Sequence, residues 1–106
     1  MTNRGTITLT GGNLRQAHIS LRSVIDMFPE DAIGGTSKDD PGRPVRFFWG
    51  PDLQPTESDL PSDKLIIRDR SASRQFLKHY RLKENDVIII ERIGPRDYFI
   101  HPEHQL

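Results

Sequence analysis

Hydrophobic and polar positions alternate through much of this chain, and the alternation predicts strands. Thr6 to Thr10 alternates strictly: Ile7 and Leu9 point inward and three threonines outward. Gly11-Gly12-Asn13 reads as a turn. Ala17 to Arg22 alternates again, with Ile19 and Leu21 on one side and His18, Ser20 and Arg22 on the other. Ser23 then reads as an N-cap, with Asp26 three residues on, and the turn from Val24 to Phe28 stops at Pro29. Ile33-Gly34-Gly35 leads into a polar stretch closed by Pro41-Gly42. Val45 to Trp49 is a strand carrying Val45, Phe47 and Trp49 on one face. Gly50 to Asp63 holds three prolines and four acids and reads as a long loop.

The second half is the more regular. Lys64 to Arg70 reads as a strand, with Leu65 and Ile67 on one face and Lys64, Ile66, Arg68 and Arg70 on the other. Ser71 is placed to cap a short helix whose apolar stripe is Ala72, Phe76 and Tyr80, with Leu77 beside it. Leu82 to Asp86 is a turn in which Asn85 suits a positive φ. Val87 to Ile93 is apolar on both faces and belongs at the centre of a sheet. Gly94 to Asp97 is a hairpin turn, and Tyr98 to Ile100 is the return strand. The expectation is a mainly β protein with two short α-helices, residues 1–106 forming a single domain. Strand, helix, turn and strand in that order suggest a small barrel bridged by one helix, a binding module rather than a catalytic pocket.

Composition narrows the class. Hydrophobic residues make up 34% of the 106 residues and charged residues 28%, a polar balance that suits a small barrel with a large solvated surface. With no cysteine, neither a disulfide scaffold nor a cysteine zinc site is available. His18, His79, His101 and His104 show no i,i+4 metal pair, and no metal or cofactor is expected. No apolar run approaches membrane-spanning length and the N-terminus lacks a signal-peptide core, so no membrane is expected and the setting is cytoplasmic.

The fifteen basic and fifteen acidic residues cancel, which counts against nonspecific binding to phosphates. Their distribution is uneven. Residues 1–25 carry Arg4, Arg15 and Arg22 with no acid, and residues 26–40 carry five acids and only Lys38. Residues 64–83 carry seven cations against Asp69 alone. Such segregation would build one basic and one acidic face. The plainer reading is a solvated surface decorated with both signs.

One family shares this order of elements. Leu9 to His101 resembles the B-three DNA-binding domain of plant auxin-response and abscisic-acid-response transcription factors. The same fold serves as the target-recognition domain of several bacterial restriction endonucleases. The likeness is carried by Asn13 to Arg22 with Val24 to Pro29, the aromatic strand Val45-Arg-Phe-Phe-Trp49, and Leu65-Ile-Ile67. Phe76-Leu77, Leu82-Lys-Glu-Asn-Asp86 and Val87-Ile-Ile-Ile90 complete it. Asn85 stands where the family has glycine. The long acidic loop and the absence of a strongly basic surface fit the bacterial module better than the plant factors.

The resemblance implies an open seven-stranded pseudobarrel that grips the major groove of double-stranded DNA with two arms. The first arm maps to Gly11–Arg22, with Asn13, Arg15, Gln16, His18, Ser20 and Arg22 as candidate contacts. Chemistry supports that choice independently: Arg can read guanine O6 and N7, and Asn or Gln can read adenine N6 and N7. The second arm maps to the Trp49–Lys64 loop and the strand after it, with Gln54, Thr56, Ser58 and Lys64 as candidates. Arg68 and Arg70 on that strand suit phosphate contacts, unless local acids such as Asp69 or Glu91 pair with them. Trp49 invites stacking, though an aromatic strand of a small barrel is more often core, and His79 is expected at the surface.

Enzyme motifs are missing. The chain contains no Glu-x-Lys or Asp-x-Lys nuclease triplet, no His-x-Lys pair, no His-Glu-x-x-His, no phosphate loop and no Gly-x-Ser-x-Gly elbow. If the parent protein cuts DNA, its catalytic residues lie in a nuclease domain or subunit elsewhere. Two other readings compete. A protein-interaction barrel would use the acidic loop and zero net charge to dock a partner, and a small-molecule barrel would line a cleft with prolines and Trp49.

Overall fold

Residues 3–103 are described in the computed structural model, so His104 lies outside the described residues. The first strand, β1 (Arg4–Thr8), leads into a short helix, α1 (Gly11–Gln16). A turn was expected there. Thr10 closes a capping box with Asn13: the Asn13 N–H donates to Thr10 Oγ1 at 3.1 Å and the Thr10 N–H to Asn13 Oδ1 at 2.9 Å. Both glycines stand in the first turn. Ala17 ends the helix in the left-handed region at φ 54°.

The expected strand from Ala17 to Arg22 is not a regular one. Ile19 and Leu21 are buried as the alternation predicts, but only Ser20 forms a β-bridge, to Ile66. Ser23 caps nothing. A 3-10 helix spans Arg22–Met27 with Leu21 before it and no side-chain cap. A second, Glu30–Ala32, leads into β2 (Ile33–Gly34).

The strand β3 (Val45–Trp49) forms as predicted, with Val45, Phe47 and Trp49 buried. The acidic segment that follows is not a structureless loop. It holds β4 (Thr56–Ser58), antiparallel to β3, and β5 (Leu60–Pro61), parallel to β2. The Trp49 indole N–H donates to Thr56 Oγ1 at 2.8 Å and fastens β4 to the strand before it. Lys64 to Arg70 is not a strand either. Leu65 takes φ 51°, which breaks the alternation and buries Ile66 and Ile67 instead of Leu65 and Ile67.

The helix α2 (Arg70–His79) is capped by Asp69 rather than Ser71: the Ala72 N–H donates to Asp69 Oδ1 at 3.0 Å. Its buried stripe is the predicted one, Ala72, Phe76 and Leu77, with Tyr80 just past the end. Asn85 does take a positive φ, 74°. The last two strands, β6 (Val87–Gly94) and β7 (Asp97–Pro102), form the expected hairpin.

The large sheet runs β1-β6-β7-β3-β4, with β3 and β7 parallel and the other pairs antiparallel. As predicted, β6 has neighbours on both sides, and Ile88, Ile89 and Ile90 are all buried. The small sheet is β2-β5. Seven strands are therefore present among the described residues, but the fold is mixed α/β and its sheet is open, not closed into a barrel.

A continuous apolar core joins the layers. Phe28 stacks on Tyr98 with ring centroids 4.2 Å apart, and Phe76 of α2 packs on Trp49 at 5.4 Å. Trp49 is 1% exposed, so it is core and lines no cleft. Gly50 follows at φ 66°, and a side chain there would strike the Tyr80 ring. No helix among the described residues is long and apolar enough to cross a membrane.

Candidate nucleic-acid interface

An isolated β-bridge outside the sheets builds the candidate site. It joins Ser20 to Ile66, and two backbone hydrogen bonds flank it: Leu21 N–H to Leu65 C=O at 2.8 Å and Ile67 N–H to Ile19 C=O at 3.2 Å. The tracts His18–Arg22 and Lys64–Arg70 thus run antiparallel, side by side. The first expected arm therefore adjoins the tract that follows the second, while Thr56 and Ser58 of the second arm's loop pair with β3 instead.

Their polar side chains share one surface. His18, Lys64, Arg68 and Arg70 line a hollow of about 160 Å³, together with Thr36 and Asp63. On the other side of Ser20, Asn13, Ser20 and Arg22 line a shallow cleft against Thr8 and Thr10. Arg22 connects the two, since its Nη2 donates to the Asp63 carbonyl at 3.2 Å. The tip of the second tract is Ser62-Asp63-Lys64, all exposed, closed by Leu65 N–H to Pro61 C=O at 2.9 Å. Leu65 in the left-handed region costs about 1–2 kcal/mol, and it turns the chain so that Lys64 protrudes.

The candidate cations differ in how free they are. Arg68 is engaged. Its Nε donates to Asp59 Oδ1 at 2.7 Å, and its Nη2 donates to Asp59 Oδ2 at 3.0 Å and to the Gly35 carbonyl at 2.7 Å. Asp59, not Asp69 or Glu91, is therefore its acid, and Arg68 acts as a clamp more than as a contact. Arg70 is exposed, and its Nε and Nη2 donate to the Gln16 carbonyl at 3.1 and 2.8 Å, covering the C-terminal end of α1. Lys64 is exposed. Arg15 is exposed on α1, where its guanidinium and the Glu84 carboxylate both lie against Gly11.

His18 is half-buried. Burial first, then the Arg70 and Lys64 charges, hold its imidazole below the ordinary value of 6.5. At neutral pH the hollow presents a neutral ring between cations, able to gain a proton when an anion offsets their charge.

Other candidates are spent on structure. Asn13 uses its side-chain oxygen in the α1 cap, and Gln16 offers an exposed side chain at the helix end. Thr56 accepts from Trp49. Ser58 is buried, donating to Asp59 C=O at 2.9 Å and accepting from Asp69 N–H at 3.0 Å. Gln54 is exposed, in the irregular stretch before β4. Sequence reasoning missed Thr36 and the Asp59 clamp. No signal in the sequence marked the clamp, because Asp59 lies in a segment that reads as loop and its burial appears only in the fold.

Outside this surface, His79 is exposed as expected and sits 3.4 Å from Asp52. Among the described residues no group of three His, Cys, Asp or Glu is placed to hold a metal. No family model, curated protein or solved structure matches this chain.

Proposed function

We propose that this chain binds double-stranded DNA in a sequence-dependent way, as the recognition module of a restriction endonuclease or related bacterial cytoplasmic enzyme. A nuclease domain or subunit elsewhere supplies the chemistry, and this chain is a binding domain. The carrying observation is the Ser20–Ile66 bridge. It makes a two-stranded ribbon whose outer face bears His18, Ser20 and Arg22 beside Lys64 and Arg70. The major groove is about 12 Å wide and admits such a ribbon. Arg22, Ser20 and Arg15 are the base-reading candidates, and Lys64, Arg70 and the His18 ring face phosphates.

On this reading the five-stranded open sheet, the β2-β5 pair and the separate Ser20–Ile66 bridge correspond to the open seven-stranded pseudobarrel of the B-three-like family. Selection from a random duplex library, followed by a salt titration of the enriched site, tests the proposal. An enriched motif bound more weakly as salt rises supports it. No enrichment, with no salt-sensitive binding to any duplex, overturns it in favour of a protein-interaction domain.

A further inference from the structure

The ribbon leaves a second surface unexplained. Between α1 and the C-terminal end of α2 lies a surface groove of about 370 Å³. Its floor is apolar: Leu14, Ala17, Leu77 and Leu82 line it. Leu14 and Leu82 remain half-exposed although both pack against the core. Its rim is Arg74, Lys78, Arg81 and Lys83, all exposed, and no acid lines it.

No ion pair engages any of these four cations among the described residues. The nearest acid in sequence, Glu84, turns its carboxylate towards Gly11 and Arg15. In a chain of zero net charge, four exposed cations outside any ion pair, set around two half-exposed leucines, are a concentrated anomaly.

We propose that this groove docks an acidic peptide segment of a partner protein, with leucine-like side chains seated on the floor and carboxylates on the rim. The apolar floor decides against DNA. Phosphate contacts use polar side chains and have nothing to place on Leu14, Leu77 and Leu82. The pattern of apolar anchors inside a charged rim is that of a helix-in-groove or peptide site, with charge complementarity setting partner and register. Arg74 and Lys78 are one helical turn apart on α2, and Arg81 with φ 52° and Lys83 continue the rim past the helix end. A segment carrying acids at the same interval matches them. The inference does not depend on the DNA-binding reading, because the groove shares no residue with the ribbon hollow.

The test uses the full chain and a glutamate- and leucine-rich helical peptide, with a lysine- and leucine-rich peptide as the charge control. Titration followed by methyl NMR should move the Leu14, Leu77 and Leu82 signals with the acidic peptide and not with the basic one. The double variant Arg74→Glu with Lys78→Glu, at two exposed positions, should weaken binding by about tenfold or more. It should leave the Leu65 and Ile66 signals in place, which shows the fold intact. Absence of binding, or shifts confined to other surfaces, overturns the proposal. So does equal binding of both peptides. If the double variant instead loses affinity for random duplex and not for the peptide, the rim belongs to the nucleic-acid surface and the docking site is wrong.

Discussion

Asp59 and Arg68 meet through two parallel hydrogen bonds, at 2.7 and 3.0 Å, beneath the segment that carries Thr36. Asp59 is buried and the Arg68 side chain is 20% exposed. Both groups make a further bond. Asp59 Oδ2 takes the Gly42 N–H at 2.6 Å, and Arg68 Nη2 donates to the Gly35 carbonyl. One ion pair therefore fastens both ends of the 35–42 loop to the ribbon.

Removing Asp59 leaves a mostly buried guanidinium without its counter-charge. Breaking such a pair costs about 3–5 kcal/mol, and the part of Arg68 that reaches water puts Asp59→Ala at the lower end. Urea unfolding should show that loss. A variant as stable as the parent would mean the loop is held by something other than this pair.

Tyr98 supplies the second stability prediction. Its side chain is fully buried, and its hydroxyl donates to the Met27 carbonyl at 2.6 Å. Burial raises the phenol above its ordinary pKa of 10.0, so it stays a donor throughout the usable range. The bond ties β7 to the end of the Arg22–Met27 turn, which follows the first tract of the ribbon. Tyr98→Phe keeps the stack on Phe28 but leaves the Met27 carbonyl unsatisfied, at a cost of about 1–3 kcal/mol. A shift in the denaturation midpoint at unchanged slope is the expected result, and no shift would show that water replaces the hydroxyl.

Much of the framework was legible because local and long-range preferences agree there. Val45, Phe47 and Trp49 alternate and are buried on β3, and Ile88 to Ile90 run apolar on both faces of an inner strand. Phe76 and Tyr80 lie one helical turn apart and meet the core. The errors fall where short-range polar bonds override an alternating pattern. Thr10 and Asn13 cap each other and convert a turn into α1. Leu65 adopts a left-handed conformation that no propensity assigns to leucine, so the facing pair became Ile66 and Ile67. Asp69 outcompeted Ser71 as the cap of α2.

The site was legible as a set of residue types but not as a shape. In the sequence His18 belongs to the first arm and Lys64 and Arg70 to the second arm and the strand after it, and the Ser20–Ile66 bridge brings the two tracts together beside one hollow. Ser58 and Thr56 looked available because their segment read as loop. Pairing of β4 with β3 takes both inward.

His18 makes a pH prediction whose sign follows from its surroundings. Burial, Arg70 and Lys64 lower its pKa from 6.5, so the folded chain binds a proton less readily than the unfolded chain. Stability from this residue is fully present above pH 6.5 and is lost as pH falls through the lowered folded value. Asp63 also lines the hollow, while Arg68 is already matched by Asp59. Melting curves at several pH values should show the His18→Gln variant less sensitive than the parent in that window. A phosphate in the hollow would offset Arg70 and Lys64 and raise the His18 pKa. Duplex binding should then take up a proton and tighten on acidification, again less so in His18→Gln. Identical pH profiles for parent and variant would remove His18 from both roles.

Arg22 and Lys64 separate reading from gripping. Both side chains are exposed on the same ribbon, but Arg22 lies along the cleft with Ser20 and Asn13, whereas Lys64 stands at the protruding tip. A bidentate arginine contact to guanine discriminates by about 1–3 kcal/mol per base, while a phosphate contact carries no sequence information. Arg22→Ala should therefore cost that much on the selected site and little on random duplex, flattening preference at one position. Lys64→Ala should weaken all duplexes alike and lower the slope of log affinity against log salt by about one. The Arg22 bond to the Asp63 carbonyl must be released or shared for the base contact to form. That bond spans the two tracts, so Arg22→Ala also loosens the tip. A stability measurement on the free variant separates the effects: affinity lost on every sequence in step with lost stability would make Arg22 a brace for the tip and not a reader.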